Sequence, residues 1–235
     1  MTGTCKICGG SGWLFSEQDG HELATLCSCQ KELVFRTQSA QANIPPLFHE
    51  AELKGYFPRK DSPSQEKAKK ICQRFVSDYP AVTKGLMLQG PTGVGKTRLL
   101  CSIGNMLIKE KNAELYYIDW NDLLREFNSV EKTGFRDLVA IDSMLARVVS
   151  VDLLLFDEFG ATRPNSYAQD NLYYLVNQRY NQHKITLFAT NCPDRKNRIE
   201  DELLVERVGE RIRSRLYEMT DAVEISGMDY RKEHG

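Results

Sequence analysis

Gly85-Leu86-Met87-Leu88-Gln89-Gly90-Pro91-Thr92-Gly93-Val94-Gly95-Lys96-Thr97 is the stretch from which the rest of the chain can be read. Its first part, Gly85–Gln89, is a short apolar run that predicts a buried strand. Lys96–Lys109 has the periodicity of a helix. Between them, Gly90-Pro91-Thr92-Gly93-Val94-Gly95-Lys96-Thr97 matches G-x-x-x-x-G-K-[ST] in the strand–loop–helix setting the pattern requires. Glycines let such a loop curl so that backbone N–H groups converge on phosphate oxygens. The helix that follows adds the positive end of its dipole. Lys96 is then placed to reach the β- and γ-phosphates of ATP, and the Thr97 hydroxyl to coordinate Mg²⁺. All eight loop residues are candidate nucleotide ligands.

Working outward, strand and helix patterns alternate. Residues 64–78 predict a helix that Ser62 or Ser64 can cap and Pro80 ends. Glu114–Asp119, Val151–Phe156, Ile185–Thr190 and Ala222–Ile225 predict further strands. Asn121–Phe127, Arg136–Val148 and Ala168–Gln182 predict helices, and Ile199–Leu216 predicts one or two helices broken near Gly209. The expectation is an α/β fold with a five-stranded parallel sheet and flanking helices.

Val151-Asp152-Leu153-Leu154-Leu155-Phe156-Asp157-Glu158 is an apolar strand ending in two carboxylates, a Walker B pattern. Asp157 would hold Mg²⁺ through its water shell, and Glu158 would polarise the attacking water as general base. Ligands of open parallel sheets lie at the carboxyl ends of strands, where this pair falls. Asn191 ends the next strand, where it can hydrogen-bond the γ-phosphate or the water, or simply help a turn before Pro193. Arg207, Arg211 and Arg215 fall at i, i+4 and i+8 and would share one helix face. Such a face fits either an arginine aimed at a neighbouring subunit's γ-phosphate or a solvated helix, since Glu202, Glu206 and Glu210 interleave. Arg231 is the other candidate, against the alternative of a frayed terminus.

The first residues read differently. Of seven cysteines, an odd number for a secreted disulfide framework, Cys5, Cys8, Cys27 and Cys29 cluster near the N-terminus. Four thiolates can bind Zn²⁺ tetrahedrally, with Gly9, Gly10 and Gly12 allowing a tight knuckle, and His21 is an alternative to one cysteine. The start of the chain lacks a basic region leading into an apolar one, so the expectation is a cytoplasmic protein without a secretory signal. No apolar run approaches the ~18–20 residues of a membrane span, so no membrane partner is expected. Apolar residues make up 41% of the 235, enough to fill a core. Lys and Arg total 31 and Asp and Glu 32, a net charge of −1, so any nucleic-acid contact must come from a local patch.

Together these motifs resemble the bacterial and phage DnaC/DnaI/IstB-type AAA+ ATPases, most closely the DnaC-like replicative helicase loaders, from about Ile44 to Arg231. The resemblance implies that Ile44-Pro45-Pro46-Leu47-Phe48, with Ala51 and Leu53, leads into the nucleotide site and supplies apolar contacts to the base. It implies that Thr190-Asn191 is sensor 1 and that Asp229-Tyr230-Arg231 is the sensor 2 end. It makes Gly209–Leu216 the arginine-finger helix, with Arg215 as the finger and Arg211 in reserve. It also implies little or no C-terminal lid, since 19 residues follow Leu216. The expected organisation is a zinc-binding, helicase-docking module over 1–42, a linker leading into the nucleotide site over 43–63, and an AAA+ domain over 64–235. The implied function is an ATPase that self-associates through its AAA+ domains, binds a hexameric replicative helicase and loads it onto single-stranded DNA. Residues 121–150 would contact the DNA through Phe127, Lys132, Phe135, Arg136 and Arg147. The alternatives are an IstB-like transposase-assisting ATPase and a zinc-containing adaptor that uses ATP structurally.

Overall fold

The computed structural model describes residues 5–18, 20–133, 138–195 and 202–230. Five parallel strands, β3 (Gly85–Gln89), β4 (Leu115–Asp119), β5 (Leu153–Asp157), β6 (Ile185–Thr190) and β7 (Thr220–Glu224), form one sheet in the order β4-β5-β6-β3-β7. The phosphate-loop strand β3 thus lies between β6 and β7, and the acidic strand β5 lies beside β6. Alternate residues of each strand face opposite sides, as the pleat requires. Leu86, Leu88, Leu153, Leu155, Leu187 and Ala189 join one core, and Met87, Leu154, Phe156 and Phe188 the other.

The first core is closed by α2 (Pro63–Asp78) and α3 (Lys96–Lys111). Gly104 in α3 brings that helix against the sheet, since a Cβ there would meet Leu155 Cδ1 at 2.6 Å. The second core is closed by α4 (Trp120–Thr133), α5 (Leu138–Ser150), α6 (Ser166–Asn181), α7 (Leu204–Val208) and α8 (Glu210–Met219). Asn165 caps α6, its Oδ1 accepting from the Ala168 N–H at 2.8 Å. Arg179, fully buried on α6, donates to the carbonyls of Val148, Val151 and Ile185, so the end of α5 is pinned to the start of β6. Among the described residues no helix follows β7, and no helix is long and apolar enough to cross a membrane.

Ahead of the sheet stands an antiparallel hairpin, β1 (Trp13–Gln18) and β2 (His21–Leu26), followed by α1 (Ser28–Gln41). The hairpin was not expected from the sequence. Phe35 of α1, Ala42 and Ile44 lie in the first core, and the Ala42 carbonyl accepts from Tyr117 N–H of the edge strand β4 at 2.7 Å. Packing is therefore continuous across the expected 42/43 boundary. Val151 follows α5 directly, its N–H donating back to Arg147 O at 3.0 Å, so β5 starts two residues later than the apolar run suggested.

Candidate nucleotide site

The loop Gly90–Thr97 joins β3 to α3 as expected. Gly95 is the residue before α3, at φ 91°, and a Cβ there would strike the Tyr56 ring at 2.7 Å. The Tyr56 hydroxyl donates to Val94 O at 2.9 Å, so this ring both fills the space a side chain would take and fastens the loop. Gly93, at φ 81°, lies against Asp229, whose carboxylate a Cβ would overlap, and Tyr230 N–H donates to Gly93 O at 3.1 Å. The segment after β7 therefore crosses the loop.

Lys96 is buried and donates to Gly90 O and Pro91 O at 2.8 Å each and to Asn191 Oδ1 at 2.5 Å. Asn191 Nδ2 donates to Glu158 Oε2 at 2.8 Å. The tip of β6 thus links the cation of the loop to the second acid of β5. Asp157 accepts from Tyr117 OH at 2.9 Å and from Glu158 N–H at 2.9 Å, and the Thr97 hydroxyl also bonds it. Burial pushes the Asp157 carboxyl up, against the pull of Thr97, Tyr117 and Glu158 N–H. Glu158 is also raised, by burial first and then by the neighbouring Asp157 charge, with Lys96 opposing. Two carboxyls held above their ordinary range next to a buried ammonium and a curled N–H loop form a donor set suited to a triphosphate with Mg²⁺.

These groups open into a cavity of about 510 Å³, a common size for a small-molecule site. Beyond the loop, Glu158 and Asn191, its walls include Phe48, Tyr56, Phe57, Arg59, Met228 and Tyr230. Of the apolar segment expected to touch the base, Phe48 lines the cavity, whereas Ile44 and Leu53 are buried in the first core and Ala51 is buried as well. Tyr56, Phe57, Arg59 and Tyr117 were not singled out from sequence. Only the aromatic pair Tyr56-Phe57, close after the Pro45-Pro46 punctuation, offered a local signal.

The arginines do not share a face. Gly209, at φ 84° and ψ 156°, separates α7 from α8, so the i, i+4, i+8 series breaks after Arg207. Arg207 pairs with Glu202 at 2.6 Å, and Arg213 is buried on Asp194. Arg211 and Arg215 remain together on α8, outside the lining of this chain's own cavity. Arg231 lies outside the described residues, although Tyr230 before it reaches the cavity wall. Of the expected DNA contacts, Phe127 is fully buried and cannot stack on a base. Arg147 is turned to Gln41 O at 2.5 Å and onto the Tyr116 ring. Phe135, Arg136 and the side chain of Lys132 lie outside the described residues.

The four N-terminal sulfurs converge. Every pair of Sγ atoms of Cys5, Cys8, Cys27 and Cys29 lies within 4.8 Å, with Cys5–Cys27 at 3.9 Å and Cys8–Cys29 at 3.5 Å. Tetrahedral Zn–S bonds of about 2.3 Å require sulfur separations of about 3.8 Å, so the set fits Zn²⁺. The Gly12 N–H donates to Cys8 Sγ at 3.3 Å and, with the Gly10 N–H and the Cys29 and Cys5 thiols, brings the Cys8 pKa down to about 6. His21 pairs with Gln18 across the hairpin and is not in this group.

The family described as IstB-like ATP binding protein matches residues 30–235. The chain belongs to that family. It is 26% identical over 248 residues to the phage-like element PBSX protein XkdC of Bacillus subtilis strain 168, covering 98% of this chain and 85% of XkdC. Its structure is similar to that of the DnaC helicase loader, at TM-score 0.65 and 26% identity over 77% of this chain and 99% of the solved DnaC chain. It is similar to that of DnaI as well, at TM-score 0.64 and 26% identity over 77% of this chain and 94% of the solved DnaI chain. This family member is thus an AAA+ P-loop protein whose five-stranded parallel sheet, flanking helices and N-terminal cysteine cluster match the expected fold class.

Proposed function

We infer that this family member is an ATPase that binds a hexameric replicative helicase and delivers it to single-stranded DNA. The observation that carries the reading is its likeness to the DnaC helicase loader over nearly the whole of that chain. In this reading residues 1–42 dock on the helicase, residues 43–63 lead into the nucleotide site, and residues 64–235 form the ATPase domain. Asp157 and Thr97 would hold the Mg²⁺ that accompanies ATP, which would neutralise phosphate charge there. Lys96 and the loop N–H groups bind the triphosphate, and Asn191 orients Glu158. Glu158 accepts the proton of the attacking water. Arg215 acts on the ATP of an adjoining copy, so hydrolysis requires self-association. The four cysteines hold a structural Zn²⁺, and the protein works in the cytoplasm. The family's description favours a second reading, a transposase-assisting ATPase of the IstB kind.

Affinity capture of the host's replicative helicase with the full chain tests the first reading. A stoichiometric complex on size exclusion is the expected result. Absence of any complex, with or without ATP, overturns it.

A further inference from the structure

Arg215 is held by its own chain in an unusual way for an exposed-helix arginine. Its Nε donates to Asn177 Oδ1 at 2.8 Å, its Nη2 to Tyr173 OH at 3.0 Å, and its Nη1 to Arg211 O at 3.1 Å. The guanidinium also lies 4.9 Å from the centre of the Tyr173 ring and 5.6 Å from that of Tyr180. Every one of these partners is neutral. Among the described residues Arg207 and Arg213, by contrast, end on the carboxylates of Glu202 and Asp194. Arg215 is therefore oriented without being neutralised. Of the five N–H groups of a guanidinium, three are engaged, and two remain for a phosphate oxygen.

The geometry points to Tyr173 and Asn177 as positioning residues that hold Arg215 ready for the nucleotide of an adjoining copy. This rests on the reading of Arg215 as acting in trans. Asn177 and Tyr173 are four residues apart on α6, so they present their polar ends on one face of a helix packed against α8. A free arginine side chain samples many rotamers, and few of them would meet a phosphate across an interface. Fixing the guanidinium beforehand means that assembly of two copies completes the site without reordering it. An Asn and a Tyr do this while leaving the positive charge available, which an Asp at position 177 would not.

The test is steady-state ATP hydrolysis by the full chain in the presence of a poly-dT single strand, which supplies assembling conditions. Tyr173→Phe and Asn177→Ala should each lower kcat about 10–100-fold while KM for ATP stays within about twofold, since misplacing a reacting group costs up to about 10². Asn177→Asp should lower kcat as well, although it keeps the hydrogen bond, because the carboxylate neutralises the cation. In an Arg215→Ala background, Tyr173→Phe should change nothing further. Mixing supplies direction. Tyr173→Phe chains mixed with Lys96→Ala chains should regain activity, because the latter carry an intact, correctly held arginine. Tyr173→Phe removes one oxygen and keeps the ring, so it reports even if Asn177→Ala unfolds. Full activity of Tyr173→Phe and Asn177→Asp beside an inactive Arg215→Ala overturns the positioning role alone. Full activity of Arg215→Ala overturns the reading beneath it. An additive loss in the Arg215→Ala background shows that Tyr173 acts elsewhere, and the proposal fails.

Discussion

Glu158 stands at φ 49°, a left-handed conformation that costs a non-glycine residue roughly 1 kcal/mol. It is kept there by Asn191, whose other end takes a hydrogen bond from Lys96. The residue is thus aimed before any substrate arrives. Glu158→Gln preserves an acceptor for Asn191 but removes the proposed base. ATP binding, followed by a fluorescent analogue, should stay within about twofold, and hydrolysis should fall about 10²–10⁴-fold. A Gln variant that turns over normally sinks the assignment. Asp157 adds a pH effect whose sign is fixed by its raised pKa. Below the ordinary carboxylate range both folded and unfolded chains are protonated there, and the group costs nothing. As pH rises through its raised folded value, ionising it in the desolvated pocket subtracts stability. Without nucleotide or Mg²⁺, Asp157→Asn should therefore melt higher than the parent at pH 7, and the gap should close at pH 4. Thermal melts at the two pH values check this, and a variant that melts lower at pH 7 refutes it.

At the scale of elements, legibility in the sequence followed burial. β3 and β6 have the bounds their apolar runs suggested, because β3 is buried throughout and β6 after its first residue, and each ends at a polar residue. The loop and the acidic strand were legible because phosphate chemistry demands those residue types. The hairpin β1–β2 was not, because every residue of β2 is exposed and no alternation marks a core face. The arginine series misled because one glycine at φ 84° resets the helix, and Phe127 misled because aromatic residues that stack on bases and those that fill cores look alike in sequence. Two predictions belong here. Gly93→Ala places a Cβ in the space of the Asp229 carboxylate at a left-handed position, so the loop or the crossing segment must move. ATP affinity should fall at least about tenfold by calorimetry, and an unchanged affinity means the crossing segment yields freely. Cys27→Ser with Cys29→Ser should abolish about one bound Zn²⁺ per chain by elemental analysis. The sheet's own melting should shift little, since both its cores lie beyond the cysteine cluster. Zinc retained by the double variant, or absent from the parent purified without chelator, excludes a four-cysteine site.

For the whole molecule, the balance of charges restricts how the proposed DNA partner could be held. At a net charge of −1 a single chain has no general attraction for a polyanion, and the arginines of α7 and α8 are largely engaged. In the proposed reading, affinity for DNA would then come from several copies set side by side, each adding a small basic surface. If ATP at one copy is completed by Arg215 of the next, the triphosphate is what fixes that array. Binding of a labelled poly-dT strand should accordingly be cooperative in protein concentration and stronger with a slowly hydrolysed ATP analogue than with ADP. Lys96→Ala, which cannot hold the triphosphate, should bind no better with the analogue than without it. Log affinity should fall linearly with log salt, by about 0.7 per phosphate contacted on a single strand. The same titration against a duplex of equal length separates the two functional readings. A helicase loader needs the single strand and should prefer it, whereas a transposition helper should prefer the duplex and cover it in long runs. Equal binding with ADP and with the analogue would remove the link between the nucleotide and the DNA altogether.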